Sequence, residues 1–358
     1  GSDMGLFAGL LGWEADDERV MDSPKAIREN GTRVSVQIND YNDSHPNVYR
    51  LTLERAGNSH HLTAASEGGG MIELTEIDGA EVSIEGDFYE TLVFVDSGAS
   101  DLARDLDRVV NADEIRVCQG NRAQFVEVKA QDFLSSDQVA SLPSRHLVTS
   151  VNFLSPVLPI LSRKEITLPF STSREMLEYK GHKDLSLWEL ALDYESNRGN
   201  ISSDEVFERM RSTVQIMRNS IQTGLAGTDY EDRILGCQSG SFKRMMEKRA
   251  LLDGGMLNRV ILYVTAMMEV KSSMGIIVAA PTAGACGTLP GSCFGAADEM
   301  GLSEVEVTKA LLAAGLIGVF ICSQSTFAAE VAGCQAECGA ASGMAAASLV
   351  TIAGGSAS

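Results

Sequence analysis

Positive charge is the scarcest commodity in this sequence. The 358 residues carry 29 Lys and Arg against 49 Asp and Glu, for a net charge of -20 at pH 7. Binding nucleic acid or an anionic membrane requires clustered Lys and Arg to displace counterions, so both partner classes are excluded. Long hydrophobic runs are also missing. The longest, ALLAAGLIGVFIC at 310–322, is too short to cross a bilayer. No signal-peptide pattern opens the chain, which predicts a cytoplasmic location. The seven cysteines include no CxxC pair. Their odd number and mostly apolar surroundings fit reduced thiols or metal ligands better than a secreted disulfide framework. Neither GxxxxGK[ST] nor GxGxxG occurs, which rules out the familiar phosphate loops, and no repeat of fixed period is present. Beyond Glu337 the sequence contains no charged side chain at all.

The residues that are present divide the chain by texture. Up to about residue 85, the runs VSVQIND, VYRLTLER and MIELTEIDG are β-rich and broken by Gly, Asn and Asp, predicting a small α+β unit over 1–85. Over 90–153 the runs ETLVFVD, ASDLARDLDRVV, DEIRVCQ, AQFVEVKA, SSDQVASL and RHLVTSVNFL alternate as β, α, β, β, α, β. That order is the ferredoxin-like split plan, shared by ACT-type units that bind regulatory amino acids, and a purely structural module has the same order. Pro156, Pro159 and Pro169 mark a connector over 154–183. From 184 to 358 the pattern is helical. Ser202 and Glu205 form a capping-box pattern, Val206, Met210, Val214, Met217 and Ile221 share one face, and Gly224 is the expected stop. Ser303 with Glu306 opens another helix, and the small, uncharged tail suits the middle of a bundle. The predicted fold class is thus an α+β N-terminal part with an ACT-like βαββαβ unit, followed by an all-α helical domain.

Two stretches carry candidate chemistry. In VAAPTAGACGTLPGSCFG, residues 278–295, Pro and Gly break an apolar helical region, and a buried break leaves backbone N–H groups that suit a carboxylate. A plain interhelical loop explains the same glycines. In VAGCQAECG, Cys334 and Cys338 lie one helical turn apart, and a continuous helix would put both sulfurs on one face, as a shared iron or zinc site requires. Free cysteines are also common as small buried hydrophobes. GSFKRM at 240–245 and EGGGMIEL at 67–74 echo the lysine and glycine-loop motifs of pyridoxal-phosphate dehydratases, with Lys243 as the Schiff-base lysine. The glycines come before the lysine here, the reverse of that family's order, so this reading is set aside.

APTAGACGTLPG, EVAGCQAECGAASGMAAA and the helix ending IQTGLAG resemble the α part of the iron-sulfur-dependent bacterial L-serine dehydratases. DSHPNVYRLTL and SEGGGMIELTEIDG resemble their β part, and the resemblance covers most of the chain in β-then-α order. It implies a 4Fe-4S cluster with Cys334 of GCQAE as a ligand; apart from the resemblance, Cys286 and Cys338 are secondary metal candidates that could rebuild a cluster locally with Cys334. It places the substrate near Thr282, Ala283 and Gly284 of PTAG and His45 of HPN, and it makes 90–153 a regulatory insert. An iron not held by cysteine would act as a Lewis acid on the serine hydroxyl, giving aminoacrylate, which hydrolyses to pyruvate and ammonia. L-cysteine desulfidation and a non-catalytic amino-acid-binding relative are the alternatives. The family's SSSHT and CDPV...PC segments have no counterpart in residues 1–358, and its NASISGA run reads QSTFAAE here, with Gln324, Thr326 and Ala328 at the polar positions. The expected partners are a small amino-acid substrate, a regulatory amino acid or cation at the ACT-like unit, and a second copy or partner chain pairing through strand edges of 90–153.

Overall fold

The computed structural model describes residues 2–39, 43, 45–183 and 185–356. The chain divides into two compact units, Gly1–Asn42 with Ser171–Leu192 and Asp204–Ser358, and Asp43–Phe170 with Asp193–Ser203. Helices α1 (Ser2–Leu10) and α2 (Ser23–Glu29) come first. The predicted strand VSVQIND does not form through Asn39, and Asp40 lies outside the described residues. Val34, Val36 and Ile38 do alternate, but no described strand lies alongside to take their backbone hydrogen bonds, and Ile38 is 97% exposed.

The second unit holds both sheets. The first is an antiparallel meander of β1 (Val48–Arg55), β2 (Asn58–Gly68), β3 (Met71–Ile77) and β4 (Ala80–Ile84), in that order. Ala56-Gly57 and Asp78-Gly79 are its two-residue turns between β1 and β2 and between β3 and β4, all four residues at positive φ as the twist of tight hairpins demands. The buried Asp78 carboxylate accepts the His61 N–H at 2.7 Å and lies 2.7 Å from His60 Nδ1, which locks the second turn.

The second sheet follows the predicted alternation. It comprises β5 (Tyr89–Val95), α3 (Ala99–Val109), β6 (Glu114–Gln119), β7 (Gln124–Ala130), α4 (Ser136–Ser141) and β8 (Val148–Leu154), with antiparallel strand order β6-β7-β5-β8. Val93, Val95, Val126 and Val128 pack on Leu102 and Leu106 of α3. The opposite face presents Leu92, Phe94, Cys118 and Phe125 to Ile77, Val82 and Ile84 of the first sheet. Central strands covered on both faces become near-continuous apolar runs, which explains LVFV in β5.

Four charged side chains interrupt that second face. Arg116 Nη2 donates to the Glu81 carbonyl at 2.9 Å, and Lys129 Nζ donates to the Ser83 carbonyl at 2.6 Å. Edge strand β4 is thus capped by two cations rather than by another strand. Each cation has a buried carboxylate behind it: Glu127 lies 3.0 Å from Arg116 Nε, and Glu90 lies 3.6 Å from Lys129 Nζ.

The other unit is built on a helical core. The later helices are α5 (Ser173–Lys183), α6 (Leu187–Gly199), whose residues from Asp193 on belong to the sheet-bearing unit, α7 (Ser203–Ala226), α8 (Ser239–Glu247), α9 (Met256–Ser272), α10 (Thr288–Met300), α11 (Glu304–Gln324), α12 (Ala329–Ala332) and α13 (Cys338–Ile352). The predicted face of α7 is the buried one: Val214, Met217 and Ile221 join Leu262, Met267, Phe294, Leu311 and Met344 in the core, with Met210 packed against it. Gly224 does not end α7, which runs on to Ala226. It is a crossing point instead, where a Cβ would stand 2.2 Å from the Ala266 carbonyl oxygen of α9. Gly291 serves the same purpose on α10, since a Cβ there would lie 2.7 Å from the Val264 backbone nitrogen. Arg218 of α7 forks onto Asp298 of α10 at 2.7 and 2.8 Å, and the Tyr263 hydroxyl of α9 donates to the same carboxylate.

The Ser303 and Glu306 capping box forms reciprocally at the start of α11. This helix is longer than the apolar run that announced it: 21 residues, sufficient in length and composition to cross a membrane. More than half of it is buried inside the protein, chiefly against α13, as befits the core helix of a bundle.

Candidate functional site

The segment between α9 and α10 cannot continue as helix. Gly275, Pro281 and the small residues after it break the pattern, and residues 275–287 form an extended stretch and then a run of tight turns. Thr282 organises those turns. Its hydroxyl accepts the Ala285 N–H at 3.2 Å, and its carbonyl accepts the N–H groups of Ala280 and Ala285. None of the described residues accepts a hydrogen bond from the N–H of Ala283 or Gly284. Ala283 is exposed and Gly284 half-buried, so the break is less buried than the sequence suggested.

Glu337 completes the loop from a distant part of the chain. The Thr282 hydroxyl, 5% exposed as a residue, donates to Glu337 Oε1 at 3.2 Å. The carboxylate also lies flat against Gly284: a Cβ there would meet Oε1 at 1.8 Å and Oε2 at 2.7 Å. Only glycine at 284 permits that approach. Glu337 is the last charged residue of the sequence, and that isolation was visible beforehand while its partner was not. The structure therefore brings together Thr282, Gly284 and Glu337, with Ala283 between the first two.

The cysteines part company. Cys286 is fully buried one residue past Ala285, its thiol 3.9 Å from Met268 Sδ. Burial pushes that thiol up to about 11, against a smaller downward pull from Lys271, so it is a neutral packing group at physiological pH. Cys293 is likewise buried and pushed up to about 12. Cys334 and Cys338 are both exposed. The continuous helix expected to align them is not there: Cys334 sits in a short 3₁₀ turn, Gly333–Gln335, and Cys338 is the first residue of α13. His45 belongs to the sheet-bearing unit, where its Nδ1 accepts the Asn47 N–H at 3.1 Å and its Nε2 lies 3.7 Å from Glu67.

A 4Fe-4S cluster is held by converging thiolates. Among the described residues no group of three or more His, Cys, Asp and Glu side chains could hold a metal ion. The residues present therefore do not make up a cluster site.

The family described as serine dehydratase alpha chain matches residues 182–358. The helical part of the chain is similar to serine dehydratase alpha chains. It is 27% identical over 186 residues to the probable L-serine dehydratase alpha chain of Bacillus subtilis, covering 52% of this chain and 62% of that one. The corresponding figures for the L-serine dehydratase alpha chain of Peptoniphilus asaccharolyticus are 29% over 187 residues, 52% and 64%. A further match is to the probable L-serine dehydratase beta chain of Bacillus subtilis, 31% identical over 93 residues, 26% of this chain and 42% of that one. The chain thus spans less than two thirds of the length of these relatives. The Thr282 loop, Glu337 and Cys334 all fall inside the alpha-chain segment.

The sheet-bearing unit offers a separate cavity of about 690 Å³ over the first sheet. Arg50, Thr52, His61, Thr63 and Glu76 line it from the strands, and Arg122 closes it from the turn between β6 and β7.

Proposed function

We propose that this chain acts on a small β-substituted amino acid as an L-serine dehydratase, a lyase releasing pyruvate and ammonia. The observation that supports it best is the Thr282–Gly284 loop with Glu337 seated on it, inside the segment that matches the alpha-chain family. The N–H groups of Ala283 and Gly284 and the Thr282 hydroxyl receive the substrate carboxylate.

Cofactor and partners belong to the same proposal. Cys334, exposed beside Glu337 in sequence, is the thiolate this chain offers to a 4Fe-4S cluster whose other ligands come from outside the described residues. Residues 90–153 are an ACT-like regulatory insert, with a small amino acid or a cation held at the contact that copies of the chain make through it. Copies of the chain associate through the free edge of β8, where Phe153 is half exposed. Light scattering at micromolar concentration reads that association directly, and a monomer refutes it.

The activity is tested with the full-length protein, reconstituted anaerobically with iron and sulfide. It should release pyruvate from L-serine, bind about four iron atoms per chain, and lose most of that iron in Cys334→Ser. Pyruvate from L-cysteine but not L-serine would replace dehydration by desulfidation. Binding of amino acids without pyruvate from either would make the protein a non-catalytic relative.

A further inference from the structure

The carboxylate of Glu337 has a capacity that its protein partner leaves unused. A carboxylate offers about four lone-pair sites, and only Oε1 takes a hydrogen bond from the described residues, that of the Thr282 hydroxyl. Oε2 lies on the same side, against Gly284. The side chain is half-buried, so an incoming group can reach it, while Thr282 and Gly284 hold its position. Beside it lie backbone N–H donors of Ala283 and Gly284 that no described residue occupies. A negative side chain seated on Gly284 and two open N–H donors of the loop that holds it offer complementary ends to a zwitterion.

We propose that Glu337 binds the α-ammonium group of the amino acid whose carboxylate rests on the Ala283 and Gly284 N–H groups, so that this pair of segments selects α-amino acids over acids lacking the amino group. The assignment rests on the reading of the helical unit as an amino-acid lyase and adds to it the group that recognises nitrogen. It also gives Gly284 a functional reason: any side chain there would push the Glu337 carboxylate out of reach of a ligand on the loop. Glu337 makes no covalent bond in this role; it supplies a charge-assisted hydrogen-bond acceptor.

Titration calorimetry of the 358-residue chain with L-serine and with 3-hydroxypropanoate, which lacks only the amino group, tests the proposal. The wild type should bind L-serine more tightly than the analogue by about tenfold or more. Glu337→Gln should abolish that preference by weakening L-serine while leaving the analogue within about threefold. Glu337→Asp keeps the charge and should retain part of the preference, which separates charge recognition from a general loss of fold; thermal midpoints of all three proteins accompany the titrations. A Glu337→Gln protein that still prefers L-serine, or an Asp variant indistinguishable from Gln, overturns the role of Glu337 and leaves the lyase reading to the pyruvate assay. A wild type that binds neither compound overturns the Glu337 subsite and leaves the lyase reading to the pyruvate assay on the full-length protein.

Discussion

Replacing Glu269 by alanine is expected to lower the stability of the helical unit by about 3–4 kcal/mol, which for a unit of this size is a fall in thermal midpoint of about 8–12 °C. Glu269 is 1% exposed on α9, yet its carboxylate is fully engaged. Oε1 accepts the N–H groups of Gln238 and Ser239 at 2.6 and 2.7 Å, and Oε2 accepts the Ser239 hydroxyl at 2.7 Å. Those donors are the start of α8, whose own cap residue Gln238 makes no side-chain bond to it. One helix thus terminates another, with a carboxylate at the positive end of its dipole. Alanine leaves the Gln238 and Ser239 N–H groups at the start of α8 without this acceptor, while the Ser239 hydroxyl keeps the Gly224 carbonyl at 3.2 Å, and glutamine fares only somewhat better because its NH₂ group cannot accept. Differential scanning calorimetry of Glu269→Ala settles the point, and a loss below about 1 kcal/mol would mean that water replaces the carboxylate.

The second large effect is a pH dependence in the sheet-bearing unit. Glu90, on β5, is 1% exposed, and burial pushes its carboxyl up to about 8. Lys129 on β7 opposes that rise, while Glu127 on β7 and Asp87 before β5 add to it. Neither Glu90 oxygen makes a hydrogen bond, and one oxygen of Glu127 is equally unsatisfied. A carboxyl with a folded value near 8 and an ordinary unfolded value near 4.5 takes up a proton on folding between those limits. The stabilisation is complete below about pH 4.5 and is lost as the pH rises through 8. A loss of a few kcal/mol is expected from pH 5 to pH 8.5. Glu90→Gln, which is neutral at every pH, should flatten that slope and be more stable than the wild type at pH 8.5. Urea denaturation at the two pH values measures it, and an unchanged slope in Glu90→Gln would place the dependence elsewhere.

Much of the fold was legible because it is written locally. The Ser303 and Glu306 box, the five-residue face of α7 and the six alternating elements over 90–153 each depend on neighbours within a few residues, and each is present as read. Strand VSVQIND had the right alternation and failed, since a strand also needs a neighbour that no local pattern supplies. Strands β2 and β4 went unread because HHLTAA and AEVSI mix small and polar residues, and only pairing with β1 and β3 makes them strands.

Gly224 shows the boundary most clearly. Glycine is compatible with a helix end and with a tight helix crossing, and the sequence around it does not distinguish the two; the Ala266 carbonyl on α9 does. The candidate site divides the same way. The PTAG loop announced itself through Pro and Gly, whose backbone effects are intrinsic. Glu337 stood out only as the last charge before an uncharged tail, and its contact with Thr282 spans 55 residues of chain. Glu269, Glu90 and Lys129 looked like ordinary surface charges until burial changed what their charge costs. Composition and spacing indicated the βαββαβ order over 90–153, the start of α11 and the inward face of α7. Which distant groups meet, and how strongly the surrounding dielectric makes them interact, was decided by packing alone, because those energies depend on contacts that no stretch of sequence contains.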